Sequence, residues 1–118
     1  MESDGLAAVF AVLATEARVR IIQLLKGGSL CVNALARSLQ ISPAAVSQHL
    51  RIMRSAGVVN AEKHGYYVHY RLNEELLALW RKETGQLLDP AFGVGDIKEM
   101  ERICAAIKKI IAAGKPKT

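Results

Sequence analysis

The sequence has few of the features of disulfide-stabilised or membrane-bound proteins. Its 118 residues include two cysteines, Cys31 and Cys104, so we expect no structural disulfide, and a bond between them would be regulatory. No apolar run approaches the roughly 20 residues that a membrane helix needs. The acidic opening 1–5 is unlike a signal peptide. We therefore expect a cytoplasmic protein with no membrane partner.

Catalytic patterns are missing as well. The chain has no Gly-rich phosphate loop, no paired-carboxylate constellation and no Ser-His-Asp arrangement. A cysteine nucleophile would have to lie beside a histidine base, and nothing in the sequence supports such a pair. We expect that the protein is not an enzyme.

The composition favours a single basic domain. A chain of 118 residues that is 51% apolar can bury one core, so we predict a single domain over 1–118. The formal net charge of +5 favours a polyanionic partner. The charge is informative because basic residues cluster around the helix and hairpin described next. They are Arg37, Arg51, Arg54, Lys63 and Arg71.

The most informative segment is 42–54, which separates apolar from polar residues when it is wound as a helix. Val46, Leu50 and Met53 share a face that would pack on a core. The other surface would carry Ala45, Ser47, Gln48, His49 and Arg51. Small and hydrogen-bonding side chains of this kind suit the major groove of DNA, so we interpret the segment as a recognition helix. An ordinary amphipathic surface helix would show the same polar face.

A second helix precedes it, and together they predict a helix-turn-helix over 30–54. The segment 30–39 reads as a short helix, and Ser42 followed by Pro43 is a favourable start for the next one. Gln40 lies in the turn, at a position where Gly would be easiest, so we expect a mildly strained turn.

A β-hairpin over 57–72 follows directly and would form a wing. The segments 57–60 and 66–72 are rich in β-branched and aromatic residues, and 61–65 would be the polar tip that joins them. Gly65 can take a positive φ in such a tip.

Helices complete the predicted order α-α-α-α-β-β-α-α, a mainly α fold with a small β-hairpin. Two helices occupy 6–26 and two occupy 74–113, capped by Asn73 and Asp96. A small winged core offers limited surface for burying the first and last helices, so we expect them to pack across a homodimer. The alternative is a last helix folded back on its own chain.

These motifs in this order resemble the ArsR/SmtB family of bacterial winged helix-turn-helix repressors. The resemblance extends from about Leu6 to about Leu79 and rests on the segments 13–25, 42–50, 55–59 and 67–72. It implies a homodimer that represses transcription at a double-stranded DNA operator and is released by a small inorganic, metalloid or thiol-redox signal. A ligand-independent architectural DNA-binding protein is the alternative.

We expect the DNA contacts on the recognition helix and the wing. The candidates are Ser42, Ala44, Ala45, Ser47, Gln48, His49, Arg51 and Arg54 on the helix, with Lys63, His64 and Tyr66 on the wing.

The candidates for sensing the release signal are Cys31 and Cys104. Cys31 lies in a segment similar to the family's arsenic-binding Leu-Cys-Val-Cys motif, but Asn33 replaces the second thiol, and an amide is a poor ligand for a metalloid. We expect no required cofactor. The sequence leaves three roles for the two cysteines: binding of a metalloid or metal ion, reversible oxidation, or simple packing as small apolar side chains. It does not identify the metal.

Overall fold

The chain folds into six helices and three strands over the residues that the structure, a computed structural model, describes. These are 1–91 and 97–114, with the backbone alone for 97–100. The predicted cap Asp96 lies outside them. The elements are α1 (Ser3–Leu13), α2 (Glu16–Leu25), β1 (Leu30–Cys31), α3 (Val32–Leu39), α4 (Pro43–Ser55), β2 (Val59–His64), β3 (Tyr67–Leu72), α5 (Glu74–Leu88) and α6 (Ile97–Gly114). They form two compact units, Met1–Thr84 and Gly85–Thr118.

The predicted fold class is confirmed, with one strand added. The predicted helix over 30–39 is wrong at its start, because Leu30 and Cys31 form β1 and the helix begins at Val32. The short strand pairs antiparallel with β3, Leu30 opposite Tyr70 and Cys31 opposite His69, which gives the sheet order β1-β3-β2. This pairing ties the start of the helix-turn-helix to the wing.

The core of the unit Met1–Thr84 lies between helices α1 to α5 and the inner face of the sheet. The predicted inward residues of α4 are buried, as are residues of each neighbouring helix and of β2. The buried set is Val9, Ile21, Leu25, Leu35, Ala36, Leu39, Val46, Leu50, Met53, Val58, Val59 and Trp80. Removing their apolar surface from water is the main force that holds α4 in place.

The turn between α3 and α4 has the predicted strain. Gln40 adopts left-handed backbone angles, φ 57° and ψ 40°, among described residues the one non-glycine with positive φ. L residues other than Gly adopt this region at a steric cost. Ser42 then caps α4, since its Oγ accepts a hydrogen bond from the Ala45 N–H at 3.1 Å, and Pro43 occupies the first turn. The turn and cap set the angle at which α4 leaves α3.

The wing begins a few residues after the end of α4. Gly57, with φ 84°, donates its N–H to the Arg54 carbonyl at 2.9 Å, and the Val58 N–H reaches the Met53 carbonyl at 3.0 Å. This is the Schellman pattern of helix termination, which favours Gly at its left-handed position. The wing is therefore anchored to the recognition helix within two residues.

The hairpin itself is tighter than predicted. The polar tip 61–65 is wrong in extent, because β2 continues through Ala61 to His64, and only Gly65 and Tyr66 form the turn. Gly65 has φ 64°, which matches a two-residue turn with Gly at its first position. Each added cross-strand pair contributes ladder hydrogen bonds, so the longer strands are favoured over a loose tip.

The unit Gly85–Thr118 contains the end of α5 and the helix α6. The apolar face of α6 is exposed, and it includes Ile103, Ile107, Ile110 and Ile111. Among the described residues no helix combines the length and apolar character needed to cross a bilayer. The assignment of 1–118 to one domain stays a prediction.

Candidate nucleic-acid interface

The exposed surface of α4 carries most of the predicted contact residues of the recognition helix. Successive residues are turned by about 100° around a helix, so Ala44, Gln48 and Arg51 lie opposite the buried row of Val46 and Leu50. All three are exposed. So are Ser42, Ser47 and Arg54, which were also predicted as contacts. This surface combines small side chains with hydrogen-bonding and cationic groups.

Two of the predicted residues lie differently. Ala45 and His49 are half-buried on the flank of α4 that faces α2, away from the Ser47 and Arg54 side. The Nδ1 atom of His49 accepts a hydrogen bond from Nε of Arg18 at 3.3 Å. The sequence placed His49 on one open surface with Gln48, and the structure shows instead an imidazole attached to the neighbouring helix.

The opposite flank of α4 faces the wing across a shallow groove. A cavity of about 470 Å³ lies there, and its lining includes Ser47, Arg51 and Arg54 from α4 and Tyr70 from β3. Both arginines are exposed at its edge. The groove therefore places two cations between α4 and the wing.

The tip of the wing projects Lys63, His64 and Tyr66 into solvent. Tyr66 is fully exposed in the two-residue turn, and Lys63 and His64 end β2. All three predicted wing residues are therefore open to solvent.

One face of the wing carries an ion-paired cluster that the sequence did not predict. Oε1 of Glu62 contacts Nε of Arg71 at 2.6 Å, and its Oε2 lies 3.4 Å from Nε2 of His64. The rings of His64 and His69 are in tilted contact, with centroids 4.8 Å apart and an interplanar angle of 37°. Arg71 is thus paired with a carboxylate, so it adds less to the positive field than an unpaired arginine would.

The two sensing candidates occupy different environments. Cys31 is half-buried, ends β1 opposite His69 and precedes α3, whereas Cys104 is exposed on α6. Both thiols are free. Within residues 1–91 and 97–114, no three His, Cys, Asp or Glu side chains form a group that could hold a metal ion.

Sequence reasoning missed Arg18 and Glu62 as parts of this surface. Arg18 lies 31 positions from His49 in the chain, and no local pattern indicates that their side chains meet. The contact of Glu62 with His64 could have been predicted, since residues two positions apart on a strand share a face.

Comparison with known proteins decides the family. Residues 15–61 match the model of the arsR family of bacterial regulatory proteins. The chain is also 33% identical to the arsenical resistance operon repressor of Escherichia coli over 103 residues, which cover 86% of this chain and 81% of that protein. The chain belongs to the arsR family. Its winged helix-turn-helix is accordingly that of a DNA-binding transcriptional repressor.

Solved structures of ArsR-like and possible ArsR-family regulators share the fold. An ArsR-like transcriptional regulator from Rhodococcus aligns with a TM-score of 0.66 at 28% identity, over 95% of this chain and 94% of that one. The homodimeric winged helix-turn-helix DNA-binding domain of a possible ArsR-family regulator from Mycobacterium bovis aligns with a TM-score of 0.59 at 28% identity, over 73% of this chain and 83% of that one.

Proposed function

We propose that this repressor binds a specific operator sequence by inserting α4 into the major groove. The observation that carries the proposal is the exposed face of α4, where Ser47, Gln48 and Arg51 stand clear of the protein while Val46, Leu50 and Met53 anchor the helix. Gln can pair with adenine through two hydrogen bonds and Arg with guanine, so these side chains can read base edges. Repression follows from occupying the operator, without a catalytic step.

The wing and the flanks of α4 would hold the phosphate backbone. Arg54 faces the groove beside the wing, and Lys63 and Tyr66 project from the tip. Contacts from these side chains set affinity and register but carry little sequence information.

We propose further that two copies bind one operator as a homodimer in the cytoplasm. The related Mycobacterium bovis domain is homodimeric. In this chain the apolar face of α6 is exposed, and a cleft of about 1270 Å³ lined by Val9, Leu13 and Trp80 adjoins α1 and α5. A second copy could cover these surfaces, and dimeric helix-turn-helix proteins bind half-sites about one DNA turn apart. Sedimentation equilibrium tests this, because a monomer at micromolar concentration would contradict it.

Selection from a random duplex library, followed by footprinting, tests the DNA-binding proposal. A specific repressor enriches an inverted repeat and protects a short region. An architectural protein would protect broadly, and a protein with another function would protect nothing. Either of the last two results would reject the proposal.

Replacing Gln48 should change sequence preference, whereas replacing Lys63 should not. We expect Gln48→Ala to lose about 1–3 kcal/mol of discrimination at one base pair. Lys63→Ala should weaken binding to every duplex and lower the salt dependence by about one counterion per copy. Competition binding with operator variants at two salt concentrations measures both effects. An equal loss on every sequence for Gln48→Ala would remove its base-reading role.

We propose that the release signal acts through a cysteine thiol, by oxidation or by a thiophilic ligand. Cys31 supports this by position, because it joins the wing strand β3 to the start of α3. A bulky or charged adduct there would disturb the link between wing and helix-turn-helix.

Titration of DNA binding with oxidant, polysulfide, arsenite and zinc tests the thiol proposal. We expect at least one reagent to lower the affinity of the native protein by about tenfold or more, which is a typical allosteric coupling. Cys31→Ser should abolish that response, and Cys104→Ser shows whether the second thiol takes part. Unchanged affinity under all treatments would reject thiol sensing and leave DNA binding intact.

A further inference from the structure

The side chain of Arg18 on α2 connects that helix to α1 and to the recognition helix α4. Its Nη1 donates to the carbonyls of Val12 at 3.3 Å and Ala11 at 3.5 Å, which belong to the last turn of α1. Its Nε donates to Nδ1 of His49 on α4 at 3.3 Å. The guanidinium is half-buried, and the hydroxyl of Thr15 caps the backbone N–H of the same residue. Arg18 is therefore held on both sides.

The chemistry of this contact determines which nitrogen of His49 carries the proton. An arginine Nε always carries hydrogen and never accepts, so Nδ1 of His49 must be the unprotonated acceptor. A neutral imidazole with a free Nδ1 carries its hydrogen on Nε2. Among the residues that the structure describes, Nε2 makes no hydrogen bond. The ring thus has one donor left for an external acceptor.

We propose that Arg18 is a positioning residue of the DNA interface, which orients the His49 ring so that its Nε2–H donates to an acceptor on the duplex. The inference rests on the DNA-binding function proposed above. In this arrangement one edge of the half-buried ring is bound to α2, and the Nε2–H on its other edge is left as the donor. The acceptor would be a purine N7 in the major groove.

The chain offers a matched control for the charge of Arg18. Arg20 lies two residues away on the same helix, and its Nη2 donates to the Ser38 carbonyl at 3.2 Å. Arg20→Met removes the same charge from α2 without touching His49. A general electrostatic contribution to DNA binding would therefore be lost equally in Arg18→Met and Arg20→Met.

A double-mutant cycle on the full chain tests the proposal. The probe is the duplex that the native protein enriches from a random library, and affinity is measured by fluorescence anisotropy at fixed salt. We expect Arg18→Met to weaken binding roughly fivefold per bound copy beyond the loss in Arg20→Met, because the imidazole is no longer held. In the His49→Ala background, Arg18→Met should lose no more than Arg20→Met. Thermal unfolding of every variant confirms that the fold is kept.

Two substitutions of His49 separate its two nitrogens. The amide of Asn reaches about as far as Nδ1, and that of Gln about as far as Nε2. We expect His49→Gln to retain affinity within about threefold and His49→Asn to bind as weakly as His49→Ala. Purines of the duplex are also replaced one at a time by 7-deazapurines, which lack N7. We expect one such replacement to lower the affinity of the native protein and to leave the affinity of His49→Ala unchanged.

The outcomes distinguish the two proposals. If Arg18→Met loses as much in the His49→Ala background as in the native protein, Arg18 acts on the fold or on DNA directly, and the positioning role is wrong. If His49→Asn binds better than His49→Gln, the assignment of the donor to Nε2 is wrong. If the native protein enriches no duplex at all, the DNA-binding proposal fails first and this inference with it.

Discussion

Leu50→Ala should lower the free energy of unfolding by about 2–5 kcal/mol, the range for truncating a buried leucine. Leu50 is 1% exposed at the centre of α4, between the buried Val46 and Met53. Truncation removes apolar contact and leaves a cavity that the close-packed neighbours fill only in part. Since small domains are stable by about 5–15 kcal/mol, the variant would lose a large fraction of its stability. Urea unfolding followed by circular dichroism measures the change.

The same helix supplies the control. Ile52 is two residues further along α4 and 42% exposed, so Ile52→Ala removes a similar apolar group without opening a closed cavity. We expect a loss of less than about 1.5 kcal/mol for that variant. Both should be measured at one protein concentration, because dimerisation couples stability to concentration. Equal losses for the two variants would mean that the inward face of α4 is assigned wrongly.

The parts of the fold that the sequence predicted are those with local causes. The start of α4 depends on the Ser42 hydroxyl and the fixed φ of Pro43, and its orientation depends on the spacing of apolar residues one turn apart. Each of these signals lies within a few residues of the structure that it determines. The strained turn at Gln40 was predictable for the same reason, because a helix end followed closely by a new cap leaves few other conformations.

The parts that the sequence did not predict depend on distant partners. A two-residue strand such as β1 forms because Leu30 and Cys31 meet Tyr70 and His69, some forty positions away, and a run of two residues has no periodicity of its own. The limits of the wing strands are likewise set by cross-strand pairing rather than by composition.

In the candidate site, too, the features with local causes were predictable and those that depend on distant residues were not. A helical projection separates exposed from buried residues, and it correctly predicts that Gln48, Arg51 and Ser47 are open to a ligand while Val46 is not. It says nothing about which flank of the helix a neighbouring element covers. The projection therefore placed His49 on the exposed face with Gln48, whereas the structure shows His49 half-buried and hydrogen-bonded to an arginine from α2.

Charge reversal at the centre of the exposed face should have the largest effect on DNA binding. Arg51 is exposed on α4 and lines the groove that leads to the wing. Arg51→Glu replaces an attraction to the duplex by a repulsion. A charge-assisted contact contributes about 1.5–3 kcal/mol, so losing it in both copies should weaken binding by at least a hundredfold. Anisotropy titrations of the enriched duplex over a range of salt concentrations measure the loss and its electrostatic share.

A control variant with the same net charge shows whether the effect depends on the position of the charge. A duplex with one half-site tests the twofold symmetry of the complex. Lys82→Glu changes the exposed surface of α5, which carries none of the proposed DNA contacts, by the same charge. We expect it to weaken binding by less than about fivefold, since exposed charges far from the duplex are largely screened. On a duplex with one half-site, Arg51→Glu acts in a single copy, so the factor lost on the full operator should be close to the square of the factor lost on the half-site. Equal factors on both duplexes would mean that one recognition helix alone reaches the DNA, and the proposed twofold arrangement would then be wrong.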